Sequence, residues 1–436
     1  MFTKPIKKNK VCLEDYDYQR DTKCFKLLSN LLPFELEVLQ EILFSSLRFP
    51  ISSLAKKVGV DEEELTESLD LFRDAELLEN DGVSISVDKE RRKYFEVQIE
   101  RFEPDFSPDV GFITQQLSAL PIHVLPEWFA ISRSSDHIIS SIIERYLGSP
   151  KRYENHLLEV GYEHPMIQHV IDEIHQSPSL EISAKKIKEN FDLDDDQFAV
   201  LSLLLEYNLV AFSVFKLEDD DFIHLFVPYK EWKEFQMKKF ACRYCSVPHS
   251  IDPPKSEPFE HLICLNHKLK TWENQELSNL ECQILLSSKM IKENNGIMER
   301  TQKLKDWLQQ SHEDQAFTLY RSLPLHFLSA QKINSSERAL RLVEKALKRI
   351  EVREWVPLNA FIKSMVEISD SHKTVELVRR GGSWHYHIPE IHEETKQFIK
   401  SLVLEYFVIL GMTETTQTEN ELHFCLTNFG KKLLNP

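Results

Sequence analysis

The sequence predicts a mainly α fold with small β-hairpin wings, organised as tandem winged-helix (helix-turn-helix) domains joined by helical linkers. Three observations predict it. A helix–turn–helix–hairpin pattern occupies Pro33 to Ile99, the same pattern returns about 133 residues later, and only 10 glycines occur in 436 residues. So little glycine argues against folds that depend on glycine-rich phosphate loops, and it suits helices joined by short connections.

In the first unit, Phe34, Val38, Leu39, Ile42 and Leu43 form one apolar stripe on a helix. A short helix, Ser52–Val58, should stop at Gly59, a residue that tolerates the left-handed turn. A third helix is expected from Asp61, with Glu64 completing a capping-box-like pair, and it should bury Leu65, Leu69, Phe72 and Leu77. The alternating run Val83–Val87 then reads as part of a hairpin, the wing, and Arg91, Arg92 and Lys93 are its nearby basic cluster.

In the second unit, Ile187, Phe191, Leu193, Asp194 and Phe198 repeat the spacing of Leu54, Val58, Val60, Asp61 and Leu65. A hairpin again follows, Ala211–Leu217 and Phe222–Val227, with Glu218, Asp219, Asp220 and Asp221 at its tip. The last third is more diffuse. Patterned helices at Arg338–Ile350, Leu358–Ile368 and Glu393–Leu410, a hairpin at Val375–Ile388 turning at Gly381 and Gly382, and a strand at Glu421–Leu426 suggest a third, elaborated copy. The expected organisation is an N-terminal extension over 1–32, winged-helix domains over 33–110 and 166–240, a helical linker over 111–165, a Cys/His loop over 241–270, a helical connector over 271–335 and a winged-helix-like domain over 336–436.

Hydrophobic residues at 42% and aromatics at 10% are the composition of a globular chain. The basic start has no apolar run behind it, no stretch approaches the length of a membrane span, and seven scattered cysteines do not form a disulfide framework. A cytoplasmic location without membrane attachment is expected. The net charge of −17 is uneven: residues 281–436 hold 21 Lys+Arg against 20 Asp+Glu, so the first 280 carry all the acidity. Acidic surfaces repel phosphate backbones, which leaves the C-terminal third as the part suited to nucleic acid.

Three pieces of that third belong together: Asp306-Trp307-Leu308 followed by Ser311-x-Glu313-Asp314-Gln315; Trp355-Val356-Pro357-Leu358-x-x-Phe361; and Leu410-Gly411-Met412-Thr413-Glu414 leading to Phe424-x-Leu426-Thr427-x-x-Gly430-Lys431-x-Leu433. Over about residues 300–436 the chain resembles bacterial helicase-associated proteins of the XPB-type group, tandem winged helices that accompany DNA translocases. The resemblance implies a DNA-related setting. No G-x-x-x-x-G-K-[ST] phosphate loop occurs, so the chain itself is not expected to be the motor. Trp307 and Trp355 read as core anchors before ligand platforms.

Cys242-x-x-Cys245 and Cys264-x-x-His267 have the spacing of a tetrahedral structural zinc site, and the proline-rich segment between them cannot build its own core. The same thiols also suit packing at the end of a helix, Glu231–Phe240. His385 and His387 share a strand face but lack a third ligand. Asp194–Asp196 reads as a helix start, and Asp219–Asp221 as an exposed turn. No G-x-S-x-G, H-E-x-x-H or G-x-G-x-x-G occurs, so no catalytic residues are assigned.

A winged helix presents the first turn of its third helix to DNA. Here those turns are Asp61–Glu64 and Asp194–Asp196, which a polyanion should avoid. The C-terminal unit instead offers Arg379, Arg380, Lys396, Lys400, Lys431 and Lys432 as a candidate phosphate footprint, against the alternative of an ordinary mixed-charge surface. The expected function is a non-catalytic adaptor acting by protein–protein contact in a DNA-processing or transcription assembly. The alternative is a DNA-binding transcriptional regulator using the C-terminal unit.

Overall fold

The computed structural model describes residues 10–132, 137–241, 251–254, 259–272, 277–294, 297–322, 333–365, 375–388, 391, 393–418 and 421–435. Over these residues the chain is mainly helical with small antiparallel sheets. Among the described residues no helix is long and apolar enough to cross a membrane. It divides into two compact units: 1–234 with 376–387, and 235–375 with 388–436.

The first unit begins with α1 (Gln19–Ser29). A module follows in the order α2 (Pro33–Phe44), β1 (Arg48–Pro50), α3 (Ile51–Val58), α4 (Thr66–Asp74), β2 (Leu78–Asn80) and β3 (Ser84–Val87), its sheet ordered β1-β3-β2 and antiparallel throughout. Pro33 opens α2 in the position where its missing N–H costs nothing. Beside it the Glu35 carboxylate accepts the Leu32 N–H at 2.9 Å. The helix buries Leu36, Val38, Leu39, Ile42 and Leu43. Phe34, expected in that stripe, is instead partly exposed. Gly59 ends α3 at φ +82°, with its N–H on the Ala55 carbonyl at 2.8 Å.

Two sequence expectations fail in this module. Asp61 starts no regular helix: residues 62–65 form turns, and α4 begins at Thr66 without a side-chain cap. Arg91, Arg92 and Lys93 are not on the wing. They lie on α5 (Lys89–Gln98), capped by Asp88, which accepts the Arg91 N–H at 2.8 Å. Arg91 and Arg92 staple the module by donating to the carbonyls of Ala75 at 3.0 Å and Ser45 at 2.7 Å. The sequence run SISVDKERR carries both a strand alternation and an Asp cap, and the cap ends the strand earlier than the charge pattern suggests.

The chain leads to the second module through α6 (Val110–Ala119), α7 (Leu125–Trp128), α8 (Ile138–Ile142), which a π turn over Ile143–Leu147 continues, and α9 (Pro150–Glu163). That module comprises α10 (Pro165–Gln176), β4 (Ile182–Ser183), α11 (Ala184–Phe191), α12 (Asp195–Tyr207), β5 (Phe212–Glu218) and β6 (Asp221–Val227), with sheet order β4-β6-β5. The backbone repeats the offset of 133 residues. Asp192 (φ +50°) matches Gly59, and Leu209 (φ +58°) matches Glu76 (φ +61°). The bonds Leu77 N–H to Phe72 C=O and Val210 N–H to Leu205 C=O also coincide, at 3.0 and 2.9 Å. After β6 the chain continues as α13 (Lys230–Lys239).

The hairpin β10 (Glu376–Arg380) and β11 (Ser383–His387), which the sequence placed in the C-terminal domain, belongs to the first unit. The Tyr386 hydroxyl donates to the Leu147 carbonyl at 2.7 Å and bonds the Tyr229 hydroxyl, and Leu377 N–H donates to the Gly148 carbonyl at 2.9 Å. A short hairpin carries its own ladder, so it can dock wherever its one buried ring, Tyr386, finds a partner.

In the second unit come α14 (Glu260–Lys270), α15 (Asn279–Ser287), the hairpin β7 (Ile291–Asn294) and β8 (Ile297–Arg300), α16 (Gln302–Trp307) and α17 (His312–Arg321). The sequence reading of 271–335 as helical missed that hairpin. The last module has helix Ile333–Leu347, β9 (Val356–Pro357), helix Leu358–Ser364, and helix Glu393–Ser401 continued by a π turn over Leu402–Tyr406 to Ile409. Then come β12 (Thr413–Gln417) and β13 (Leu422–Leu426), in the order β12-β13-β9, and helix Asn428–Leu434. The sheet order matches the first two modules. The join from helix to hairpin also recurs: Lys289 (φ +59°) and Gly411 (φ +72°) sit where Glu76 and Leu209 do, each followed by a bond back into the helix at 2.9 Å, from Met290 N–H to Leu285 and from Met412 N–H to Phe407.

Candidate interaction surface

The third helices of the first two modules, α4 and α12, differ in exposure. Asp194 caps α12, accepting the Gln197 N–H at 2.8 Å while the Gln197 side chain accepts the Asp194 N–H at 3.2 Å. The remaining carboxylates of this acidic turn are matched internally. Asp195 takes Lys188 at 2.9 Å, and that hydrogen bond, with the lysine's charge, holds its carboxyl below the usual range. Asp196 pairs with Lys26 of α1.

α1 lies antiparallel along α12. Its C-terminal half meets the start of α12 through Lys26–Asp196, and Phe25 packs edge-on against Phe198 at 6.3 Å. Its N-terminal half meets the other end, where the Tyr207 hydroxyl donates to Asp21 at 2.9 Å. Past its first turn most of α12 is covered: Phe198, Ala199, Leu201, Ser202, Leu203, Leu205, Glu206 and Tyr207 are buried, while Val200 and Leu204 form a half-buried strip. A helix apolar all round is a core helix.

A buried ion pair ties the far face. Arg101 and Glu206, 2% and 4% exposed, meet in a two-pronged contact at 2.6 and 2.8 Å. Arg101 also donates to Gln98 at 2.8 Å and to the Ser213 carbonyl at 3.0 Å, and Ser213 N–H donates to Glu206 at 3.0 Å. With its hydrogen bonds filled on both sides, the pair is compensated. His224 sits among Phe25, Phe198, Phe215 and Phe226, at 4.6 to 5.7 Å. Desolvation pushes its pKa down to about 3.

α4 is different. It buries only Ser68, Leu69 and Phe72. Leu71 is 41% exposed, and Glu62, Glu63, Glu64 and Glu67 are exposed with no cationic partner among the described residues.

The six basic residues read as a phosphate footprint are divided between the two units. Arg379 and Arg380 lie on the hairpin of the first unit, the four lysines in the second. Lys431 is spent on the carbonyls of Lys348 and Ile350, both at 3.0 Å. Lys432 pairs with Glu313 at 2.9 Å and Lys396 with Glu393 at 2.7 Å. Lys400 is half-exposed on the same helix as Lys396.

Cys264 and His267 lie one turn apart on α14, both exposed, whereas Cys242 and Cys245 are outside the described residues. Among the described residues no group of three or more His, Cys, Asp or Glu is placed to hold a metal ion. His385 and His387 flank the buried Tyr386 on β11. Trp307 is buried, with its ring N–H on the Gln315 carbonyl at 3.1 Å and the Gln315 amide returning to the Trp307 carbonyl at 3.0 Å. Trp355 is half-buried, donating to the Asp252 carbonyl at 2.7 Å. Ser311 caps α17, and the Thr427 hydroxyl donates to the Gly411 carbonyl at 2.7 Å. A side chain at Gly430 would meet the Met412 carbonyl at 2.3 Å. The motif residues of the last third thus have packing and capping work.

The role of α1 was missed in the sequence, where 1–32 read as an extension. Its apolar spacing at Cys24, Phe25 and Leu28 was the available signal. No family model matches the chain, and no curated protein matches it.

Proposed function

We propose that the modules are tandem winged helices and that the chain is a non-catalytic adaptor that works by protein–protein contact in a DNA-processing or transcription assembly. What supports the winged-helix reading is the common order of helices and strands, with the same sheet order in three modules. The single observation that carries the adaptor reading is the sealing of α12. The helix that a DNA-reading module inserts into the major groove is here wrapped by the chain's own α1, and its acidic start is neutralised from within. The DNA-related setting rests on the resemblance of the last third to helicase-associated proteins.

The test is a titration of the full chain with duplex DNA over a range of salt. The adaptor reading expects no measurable binding at low salt. Binding that weakens steeply with salt, and that Lys400→Glu reduces, would overturn it in favour of direct DNA recognition by the last module. A structural zinc on Cys242, Cys245, Cys264 and His267 remains part of the proposal. Its support is that Cys264 and His267 share one exposed face of α14. Metal analysis of the purified protein beside Cys264→Ser decides it, with stoichiometric zinc expected only in the wild type.

A further inference from the structure

We propose that the groove between α1 and α4 receives an amphipathic, basic helix from a protein partner, covering α4 as α1 covers α12. The inference rests on the adaptor reading and names the kind of partner. A groove of 520 Å³ runs there, with Leu27 of α1 on one wall, Leu71 and Ala75 of α4 on the other, and Lys26 and Asp74 on its rims. Leu71 stands 41% exposed on it, so the groove keeps an uncovered apolar wall of the kind that helix-in-groove recognition uses.

Charge selects the occupant. Lys23 and Lys26 on the α1 rim are already matched by Glu76 and Asp196. Glu67, Leu71 and Asp74 follow one another at helical spacing on a single face of α4. That face continues toward Glu62, Glu63 and Glu64, which have no cation among the described residues. Asp74 already faces Arg73 at 4.0 Å, so the unmatched charge is that of Glu62, Glu63, Glu64 and Glu67; it is negative, and a partner that completes it is positive.

The molecule contains its own precedent. The 133-residue offset sets Glu67, Leu71 and Asp74 of α4 against Val200, Leu204 and Tyr207 of α12. Val200 and Leu204 are half-buried, and Tyr207, 5% exposed, is held by Asp21 of α1. α1 brings to α12 an apolar ring, Phe25, followed by a lysine that meets a carboxylate. A helix built on the same principle, large apolar side chains flanked by lysine or arginine, fits the open face of α4.

The probe is a fluorescent Leu/Lys amphipathic peptide of about four helical turns, with a Leu/Glu peptide of the same apolar pattern as its counterpart. The protein is the full chain, wild type or carrying Leu71→Arg, Glu67→Lys or Leu158→Arg. Leu158 is an exposed leucine on α9 and serves as the control. Thermal melts confirm that each variant is folded. The expected result is saturable one-to-one binding of the Leu/Lys peptide to the wild type, weakened at least tenfold by Leu71→Arg and several-fold by Glu67→Lys, unchanged by Leu158→Arg, and at least tenfold tighter than the Leu/Glu peptide. Absence of binding, equal binding to Leu71→Arg and wild type, or no preference for the basic peptide overturns the assignment. A labelled DNA duplex run beside it separates the two failures. If peptide and duplex both stay free, the groove assignment falls and the adaptor reading stands; a duplex that binds overturns the adaptor reading itself.

Discussion

α12 and α4 occupy the same place in two copies of one module, yet one is sealed and the other open. Both follow a left-handed C-terminal stop of the preceding helix, and both lead through a left-handed residue into a hairpin. What separates them is the residues on the outer face. Leu203 and Tyr207 are buried, Tyr207 against Asp21 of α1, whereas Asp70 and Asp74 are charged and meet only Arg73 of their own helix. The repeated scaffold is thus fixed by inward positions and backbone stops, while a few outward positions decide whether a module packs within the chain or faces out.

That contrast can be broken or sharpened. The largest effect belongs to the carboxylate that α12 buries: Arg101→Met strands Glu206 without its partner and should cost about 3–5 kcal/mol in denaturant unfolding. A cost below about 1 kcal/mol would mean that water reaches the pair, and that α12 is not sealed.

Acid comes next. The folded pKa of His224, near 3, lies below the ordinary histidine value of about 6.5. The folded state therefore binds fewer protons than the unfolded one in that window. The stabilisation is whole above pH of about 6.5 and is lost as pH falls toward 3, by on the order of 1.4 kcal/mol per unit. Melting followed from neutral pH into acid should show His224→Phe losing less stability than the wild type. Parallel curves would remove His224 from the seal. His156, with its pKa pushed down to about 4 by burial, supplies a second acid-sensitive contribution that the variant retains.

Smaller still is the difference between the two acidic starts. Asp194→Ala removes a cap that is made and should cost about 1 kcal/mol, while Asp61→Ala removes none and should cost almost nothing. Equal costs would show that Asp61 caps α4 in solution. Least of all, Leu71→Ala on the open face should shift stability by no more than about 0.5 kcal/mol.

Much of the scaffold was legible because its signals are local. Gly59 and the cap at Asp194 act within a turn, and Leu54, Ile187, Leu65 and Phe198 point inward at helical spacing. Asn295-Gly296 between two short β-prone runs was a readable hairpin signal, overlooked beneath the helical composition around it. The rest was not local. Nothing near Asp196 says that Lys26 will neutralise it from 170 positions away, and nothing in Ser383–His387 says that Tyr386 will meet Leu147 and Tyr229. Arg91–Lys93 misled because charge alone does not distinguish a hairpin tip from the first turn of a capped helix. The acidic turns were legible in the sequence, but the helix that lies along α12, α1, came from three-dimensional packing.

Amide hydrogen exchange compares the two helices most directly. If α1 seals α12, the amides of 199–207 should exchange only through global unfolding, while those of 67–74 exchange faster through local opening. Exchange of α12 as fast as that of α4, under conditions where the rest of the first unit stays protected, would contradict the account.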